Sequence, residues 1–168
     1  MRNSYANLNN AFLSAPPAVY FSGEYSVSAW INLQSYDKWT RLFDFSAGGD
    51  SKDNILVTTS SGTNGQVVLN TYQGTKWSGA GANSFLSLNT WTLVTVIVKG
   101  TSAQFYYNTS SVGSGSVLAA NNLLRTTNYI GKSNWDNPLS NMFIKNFKIY
   151  NTAISNAEIT LNYNSFAN

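Results

Sequence analysis

The sequence predicts an all-β chain, folded as an antiparallel two-sheet β-sandwich and closed by one short C-terminal helical turn. Three observations carry that reading. Roughly ten to twelve short strand-like stretches recur, with turn signals every ~8–12 residues, as expected for a sandwich. Strand patterns do not alternate with helical ones, which argues against a parallel α/β sheet. Finally, Thr90–Lys99 (TWTLVTVIVK) is apolar on both alternating sets, Trp91, Leu93 and Ile97 on one and Val94, Val96 and Val98 on the other. A strand covered on both faces belongs at the centre of a layered structure. With 168 residues the expectation is a single domain over 1–168, large enough to bury a core.

Residues 1–17 are polar and end in Pro16-Pro17, which cannot continue a helix, so they read as an irregular lead-in with at most a short edge segment. Ala18–Phe21 reads as a short strand turned by Gly23. In Tyr25–Leu33, residues Tyr25, Val27, Ala29, Ile31 and Leu33 share one face, and Trp30 falls on the other as a core aromatic against a second layer. Gln34–Thr40 is a loop carrying Tyr36, Asp37 and Trp39. Arg41–Ser46 is the next strand, and Ala47–Asp53 is a turn-rich loop with two carboxylates. Asn54–Thr59 and Gly65–Gln73 form a strand pair across the connector Ser60–Asn64. Gly74–Ser87, rich in Gly, Ala and Ser, reads as a long loop holding Trp77 and Phe85. Thr90–Lys99 turns at Gly100-Thr101 into Ser102–Thr109, and Ser110–Thr127 is a Ser- and Gly-rich hairpin and loop whose strongest strand segment is Val117-Leu118. Tyr129-Ile130 stops at Gly131, the polar loop Lys132–Ser140 follows, and Asn141–Asn151 is a long alternating strand. Beyond it, Ser155 can cap free backbone N–H groups while Glu158, three residues on, can reach back to the N-cap N–H; this pattern predicts one capped helical turn.

Composition narrows the chemistry. Only 10% of residues are charged and 14% are aromatic, and the net charge of +3 comes from singly scattered Lys and Arg. There is no basic stripe to track phosphates, so no nucleic-acid partner is expected. With no cysteine and no histidine, disulfides, thiol chemistry, the commonest general base and the commonest transition-metal ligand are all missing. No run approaches the ~18 apolar residues of a membrane span, so no membrane insertion is expected, and residues 1–15 lack the pattern of a signal peptide.

Three segments together resemble the laminin-G-like modules of the concanavalin A-like jelly-roll superfamily. Tyr25-Ser26-Val27-Ser28-Ala29-Trp30-Ile31 is similar to the family's opening strand. Asn89–Val96, the turn at Gly100 and Phe105-Tyr106-Tyr107-Asn108 are similar to its central hairpin. Tyr129-Ile130-Gly131, Ile144 to Tyr150, Ala153-Ile154-Ser155 and Glu158-Ile159 are similar to its terminal signature. The resemblance covers roughly Val19–Tyr163 and implies a jelly roll working outside the cell, at a cell surface or at a virion surface. One departure is Lys145, where relatives often carry an acid after the position of Ile144; no acid-dependent role transfers to that strand.

Some jelly-roll relatives are β-glucanases, which need two carboxylates ~5–9 Å apart facing one sugar. In those enzymes the carboxylates sit on one strand as Glu-x-Asp-x-Glu. Here Glu24 and Glu158 are the only glutamates, neither has an acidic neighbour at that spacing, and Asp44 is alone on its strand, so no catalytic residue is expected. The resemblance also raises calcium, which relatives hold at the sandwich rim with carboxylate, amide and carbonyl oxygens. Asp50, Asp53 and Asn54 are the favoured candidate Ca²⁺ ligands, with Asn134, Asp136 and Asn137 behind them; the ordinary reading of such loops is that Asp and Asn stabilise turns. Sugar binding needs flat aromatic platforms beside amides and carboxylates. Trp39, Trp77, Trp135 and Tyr36 fall in predicted loops, and Trp135 is flanked by Asn134, Asp136 and Asn137. Each loop Trp taken singly is better read as a cap on the core, but three in one weakly charged domain favour a binding surface at the sandwich rim.

The expectation is therefore a non-catalytic recognition module, with a glycan or glycosylated surface as partner and calcium as a candidate co-ligand. The alternative is a structural or protein-interaction domain of a surface or virion assembly. The discriminator is whether Trp39, Trp77 and Trp135 line one exposed concavity or are buried apart.

Overall fold

Two six-stranded antiparallel sheets, stacked face to face, make up the computed structural model, which describes residues 4–167. Sheet A runs β1 (Ala6–Asn7), β12 (Met142–Tyr150), β3 (Glu24–Leu33), β8 (Trp91–Lys99), β9 (Ser102–Tyr107) and β10 (Ser110–Ser116). Sheet B runs β2 (Leu13–Ala15), β11 (Thr127–Ile130), β4 (Thr40–Ser46), β5 (Ile55–Ser60), β6 (Gln66–Gln73) and β7 (Lys76–Phe85). This is the jelly-roll sandwich that the sequence predicts.

The core lies between the sheets because strand side chains alternate. Tyr25, Val27, Ala29, Ile31 and Leu33 of β3 meet Phe43 and Phe45 of β4, Ile55 and Val57 of β5, and Val67 and Leu69 of β6. Burying each of the Val, Leu, Ile and Phe side chains among them is worth ~1.5–3 kcal/mol. The opposite face of sheet A has its own cover. Trp30, Leu93 and Ile97 pack under Ile154 and under Ile159 of helix α1 (Asn156–Asn164). That second layer explains why both alternating sets of Thr90–Lys99 are apolar.

The helix is longer than the single turn expected: nine residues followed by a 3₁₀ turn at Ser165–Ala167. Half of the capping box forms. Ser155 accepts from the Glu158 N–H at 3.3 Å, while the Glu158 carboxylate accepts from the Tyr150 hydroxyl instead. Lys145, where relatives often carry an acid, donates to the Phe166 carbonyl with its ammonium 3.8 Å from the Phe166 ring centroid, and Lys148 donates to Asn162 Oδ1 at 2.6 Å. Cations at a helix C-terminus meet its unsatisfied carbonyls.

Four expected elements change. The lead-in, whose residues 1–3 lie outside the described residues, supplies an edge strand to each sheet, β1 against β12 and β2 against β11. Ala18–Phe21 makes only an isolated bridge, Ala18 to Arg125, because Phe21 leaves the sheet plane to fill the core between Tyr25 and Phe43. Gly74–Ser87 is not a loop: Lys76–Phe85 forms β7, paired with β6 from Lys76 to Gly81 and again, after a break in register, at Phe85. Low β-propensity is overridden there by close backbone approach. A Cβ on Gly113 of β10 would lie 2.9 Å from the Gly81 carbonyl oxygen, and one on Gly115 would lie 2.7 Å from Ala80 Cβ. The two sheets thus close on each other along β7 and β10. Val117 and Leu118 follow β10 rather than forming a strand, and Val117 is buried with its N–H on the Thr101 carbonyl. Among the described residues, no helix is long and apolar enough to cross a membrane.

Candidate functional site

The outer face of sheet B carries a cleft of about 260 Å³ lined by Trp39, Arg41, Leu56, Asn70, Tyr72, Trp77, Trp135 and Asn137. Strand alternation supplies its floor. On β6, Val67 and Leu69 point into the core, so Gln66, Val68, Asn70 and Tyr72 point out. Trp77 on β7 sits directly across from Tyr72, the rings 6.3 Å apart and near-parallel at 26°. Trp135, from the loop 132–140, also packs on Tyr72, its ring centroid 5.5 Å away and tilted by 42°. The result is a continuous aromatic strip, Trp77–Tyr72–Trp135. Trp39 borders the same cleft from the loop before β4. Trp77 is 60% exposed and Trp39 is 38% exposed, far from the burial of core caps.

Arg41 forms the polar floor. Its neighbours Leu42 and Phe43 both face the core, so a regular strand cannot hold them; register breaks on either side of Arg41 mark a bulge. A bulge inserts one residue and re-aims the side chains around it. Arg41 and Asp44, three apart, therefore share the outer face. The guanidinium donates to the Trp39 carbonyl at 2.5 Å and to Asn137 Oδ1 at 3.2 Å, and it lies 5.8 Å from the Trp135 ring centroid. Its Nε stands 3.7 Å from Asp44 with no hydrogen-bond partner among the described residues. Trp39 itself sits at φ +61°, a left-handed backbone that bulky residues rarely adopt.

Asp44 anchors the loop above it. Oδ2 accepts from the Asn134 N–H at 2.9 Å, and Oδ1 accepts from Asn134 Nδ2 at 3.0 Å and Asn54 Nδ2 at 2.8 Å. Burial pushes the carboxyl above its ordinary value, and the amide donors and Arg41 act in the opposite direction; burial likewise lowers Arg41. Asp44 is fully enclosed, so it holds Trp135 and Asn137 over the cleft without facing a ligand.

The expected residues divide accordingly. Trp39, Trp77, Trp135 and Asn137 come together in the cleft. Asn134 is the loop's anchor on Asp44, and Asp136 is exposed outside the lining. Tyr36 is elsewhere: its ring packs over Gly65 and its hydroxyl donates to the Leu86 carbonyl at 2.5 Å. Trp77 sits on a strand, and the cleft lies on a sheet face under its loops rather than at the sandwich rim.

Asp53 and Asn54 tie the Asp50–Asn54 loop to its surroundings and to itself. Asp53 Oδ1 accepts from the Gly74 N–H at 3.0 Å and Asn121 Nδ2 at 2.6 Å, and Asn54 Oδ1 accepts from the Lys52 N–H at 2.8 Å. Among the described residues, no three His, Cys, Asp or Glu side chains converge as a metal site.

Arg41, Leu56, Asn70 and Tyr72 line the cleft without having been expected. The period of two along Gln66–Tyr72 carried the signal for Asn70 and Tyr72; the bulge that re-aims Arg41 left none.

The sequence matches the family described as the concanavalin A-like lectin/glucanases superfamily over residues 4–160. No curated protein matches it significantly. Among solved structures, the chain is similar to domain 4 of AbnA, an extracellular arabinanase from Geobacillus stearothermophilus in complex with arabinotriose. The TM-score is 0.70 at 20% identity, covering 94% of this chain and 79% of that one. It is also similar to the binding domain of Paraclostridial Mosquitocidal Protein 1, with TM-score 0.65 at 18% identity, covering 98% and 43%. A third likeness is to the binding domain of Botulinum Neurotoxin DC in complex with SialylT, with TM-score 0.61 at 16% identity, covering 86% and 36%. At these identities the likeness is one of fold.

Proposed function

The chain belongs to the concanavalin A-like lectin/glucanases superfamily, and from that premise we propose that it is a non-catalytic recognition module that binds a glycan in the tryptophan-lined cleft of sheet B. One observation carries the proposal: Trp39, Trp77 and Trp135, far apart in sequence, border one open concavity beside Arg41, Asn70 and Asn137. Aromatic faces take the C–H faces of sugar rings, while amides and a guanidinium read the hydroxyls. The cleft lining contains no carboxylate, whereas glycoside hydrolysis needs a facing pair. Asp44 beneath it is enclosed and bound by amide donors. The reading needs no ion in the cleft. Complexes of similar folds with arabinotriose and with SialylT support a sugar as ligand, and the same comparison supports an extracellular or surface setting.

The test is a glycan array, probed with calcium and again with chelator, using the wild type, Trp135→Ala and Trp77→Ala. Binding in both conditions that either substitution removes supports the proposal. A folded protein that binds no glycan refutes it and turns the exposed tryptophans into anchors for a protein partner.

A further inference from the structure

The tryptophan cleft does not end at Asn70. A second depression of about 250 Å³ adjoins it, lined by Trp39, Ser61, Gln66, Val68, Asn70, Trp77, Gly79, Ala80 and Gly81. Trp39, Asn70 and Trp77 border both compartments. Each alone falls below the ~300 Å³ at which small-molecule sites begin, and joined they enter that range.

The sequence of β7 explains why the second compartment is open. Trp77, Gly79 and Gly81 lie across from Tyr72, Asn70 and Val68, all of which point outward from β6. The face of β7 that meets the groove thus reads Trp, Gly, Gly: an aromatic wall followed by bare backbone. A Cβ on Gly79 would lie 2.2 Å from Asn70 Oδ1, and one on Gly81 would lie 3.1 Å from Val68 Cγ2. Neither glycine has the positive φ that would demand it for backbone reasons; on this face they let the Asn70 and Val68 side chains lie low against β7, which keeps the compartment floor shallow. The floor from Gln66 to Tyr72 spans six residue steps, roughly 20 Å. The two compartments also differ. The first holds Arg41 and all four aromatic side chains of the groove, Tyr72 near-parallel to Trp77 and tilted by 42° to Trp135; the second is lined by uncharged side chains only.

We propose that the two compartments act as one groove that binds an oligosaccharide of at least two residues along β6, with an uncharged sugar on the Gly79–Gly81 floor and Trp39 and Trp77 as the waist between sugars. This rests on the glycan-binding reading above. The ligand class is therefore an internal or extended stretch of a chain, not a single terminal sugar.

The test uses immobilised length series, from mono- to pentasaccharide, of arabinan, xylan, glucan, galactan and N-acetyllactosamine, followed by calorimetry on the series that binds. Gly81→Leu blocks the second floor from β7, and Val68→Phe blocks it independently from β6 should the first variant fold poorly. The expected result is an affinity that rises at least about tenfold between one residue and three. A blocked variant with unchanged thermal midpoint should lose that rise and keep the monosaccharide-level signal. Affinity that does not grow with chain length, or growth that both folded blocking variants keep, overturns the two-compartment groove while glycan binding stands. No binding to any series, with binding absent on the wider array as well, overturns both.

Discussion

Replacing Asp44 by alanine tests the whole construction of the cleft. The carboxylate accepts three hydrogen bonds of 2.8 to 3.0 Å from Asn54 and Asn134 and balances Arg41 at 3.7 Å, all out of contact with water. Removing one partner of a buried ion pair costs about 3–5 kcal/mol, and hydrogen bonds to a charged group are worth about 1.5–3 kcal/mol each. These contributions overlap, since they share one side chain, so the expected loss is about 4 kcal/mol. For a chain of this size that lowers the thermal midpoint by about 8–16 °C. Asp44→Asn should lose nearly as much, because its amide NH₂ would face donors from Asn134 and Asn54. The assay is differential scanning calorimetry of both variants, paired with glycan binding. Binding should fall further than the stability loss accounts for, since the loop carrying Trp135 and Asn137 loses its anchor. A midpoint within about 3 °C of wild type for Asp44→Ala, with binding intact, would refute the reasoning.

Other outcomes follow from the same geometry. Trp77→Ala, at a 60% exposed position, should change stability by about 1 kcal/mol or less while lowering glycan affinity at least tenfold; titration calorimetry and thermal melts separate the two effects. Chelator should alter neither the melting midpoint nor binding, because the oxygens of Asp53 and Asn54 already hold backbone and amide donors. Ile159→Ala should cost about 2–4 kcal/mol in denaturant unfolding by opening the layer over Trp30, Leu93 and Ile97, and should leave the cleft working. Gly131→Ala should destabilise by more than about 1 kcal/mol, since φ is +82° and the new Cβ would meet Leu8 Cδ1 at 2.8 Å.

The architecture was legible in the sequence wherever side-chain alternation was clean. Tyr25–Leu33, Thr90–Lys99 and Asn141–Asn151 each give a strand within one residue of the expected ends, because one-sided or two-sided burial writes itself into every second position. β7 was illegible because two of its three groove-facing positions are glycines, which make room for Asn70 and Val68 and carry no hydrophobic period. β1 and β2 are two and three residues long, below the length at which any period can be read. In the cleft, exposed tryptophans and the amide of Asn137 stood out by residue type. Arg41 did not, since simple alternation from Phe43 and Phe45 assigns it to the core, and only the bulge reverses that. Asp44 looked idle for want of a second carboxylate, yet its partners come from Asn54 and Asn134, ten and ninety residues away.

The left-handed backbone at Trp39 sets recognition against durability. An L-residue in that region gives up about 1–2 kcal/mol that glycine would not. The Arg41 guanidinium on the Trp39 carbonyl helps hold it there. A library of variants sorted for heat resistance alone should therefore enrich Trp39→Gly, and each protein so improved should have lost the wall shared by both halves of its groove. Selection that keeps tryptophan at this position has to act through the ligand, so among natural variants the residue at position 39 should follow what the module binds rather than how warm its host lives.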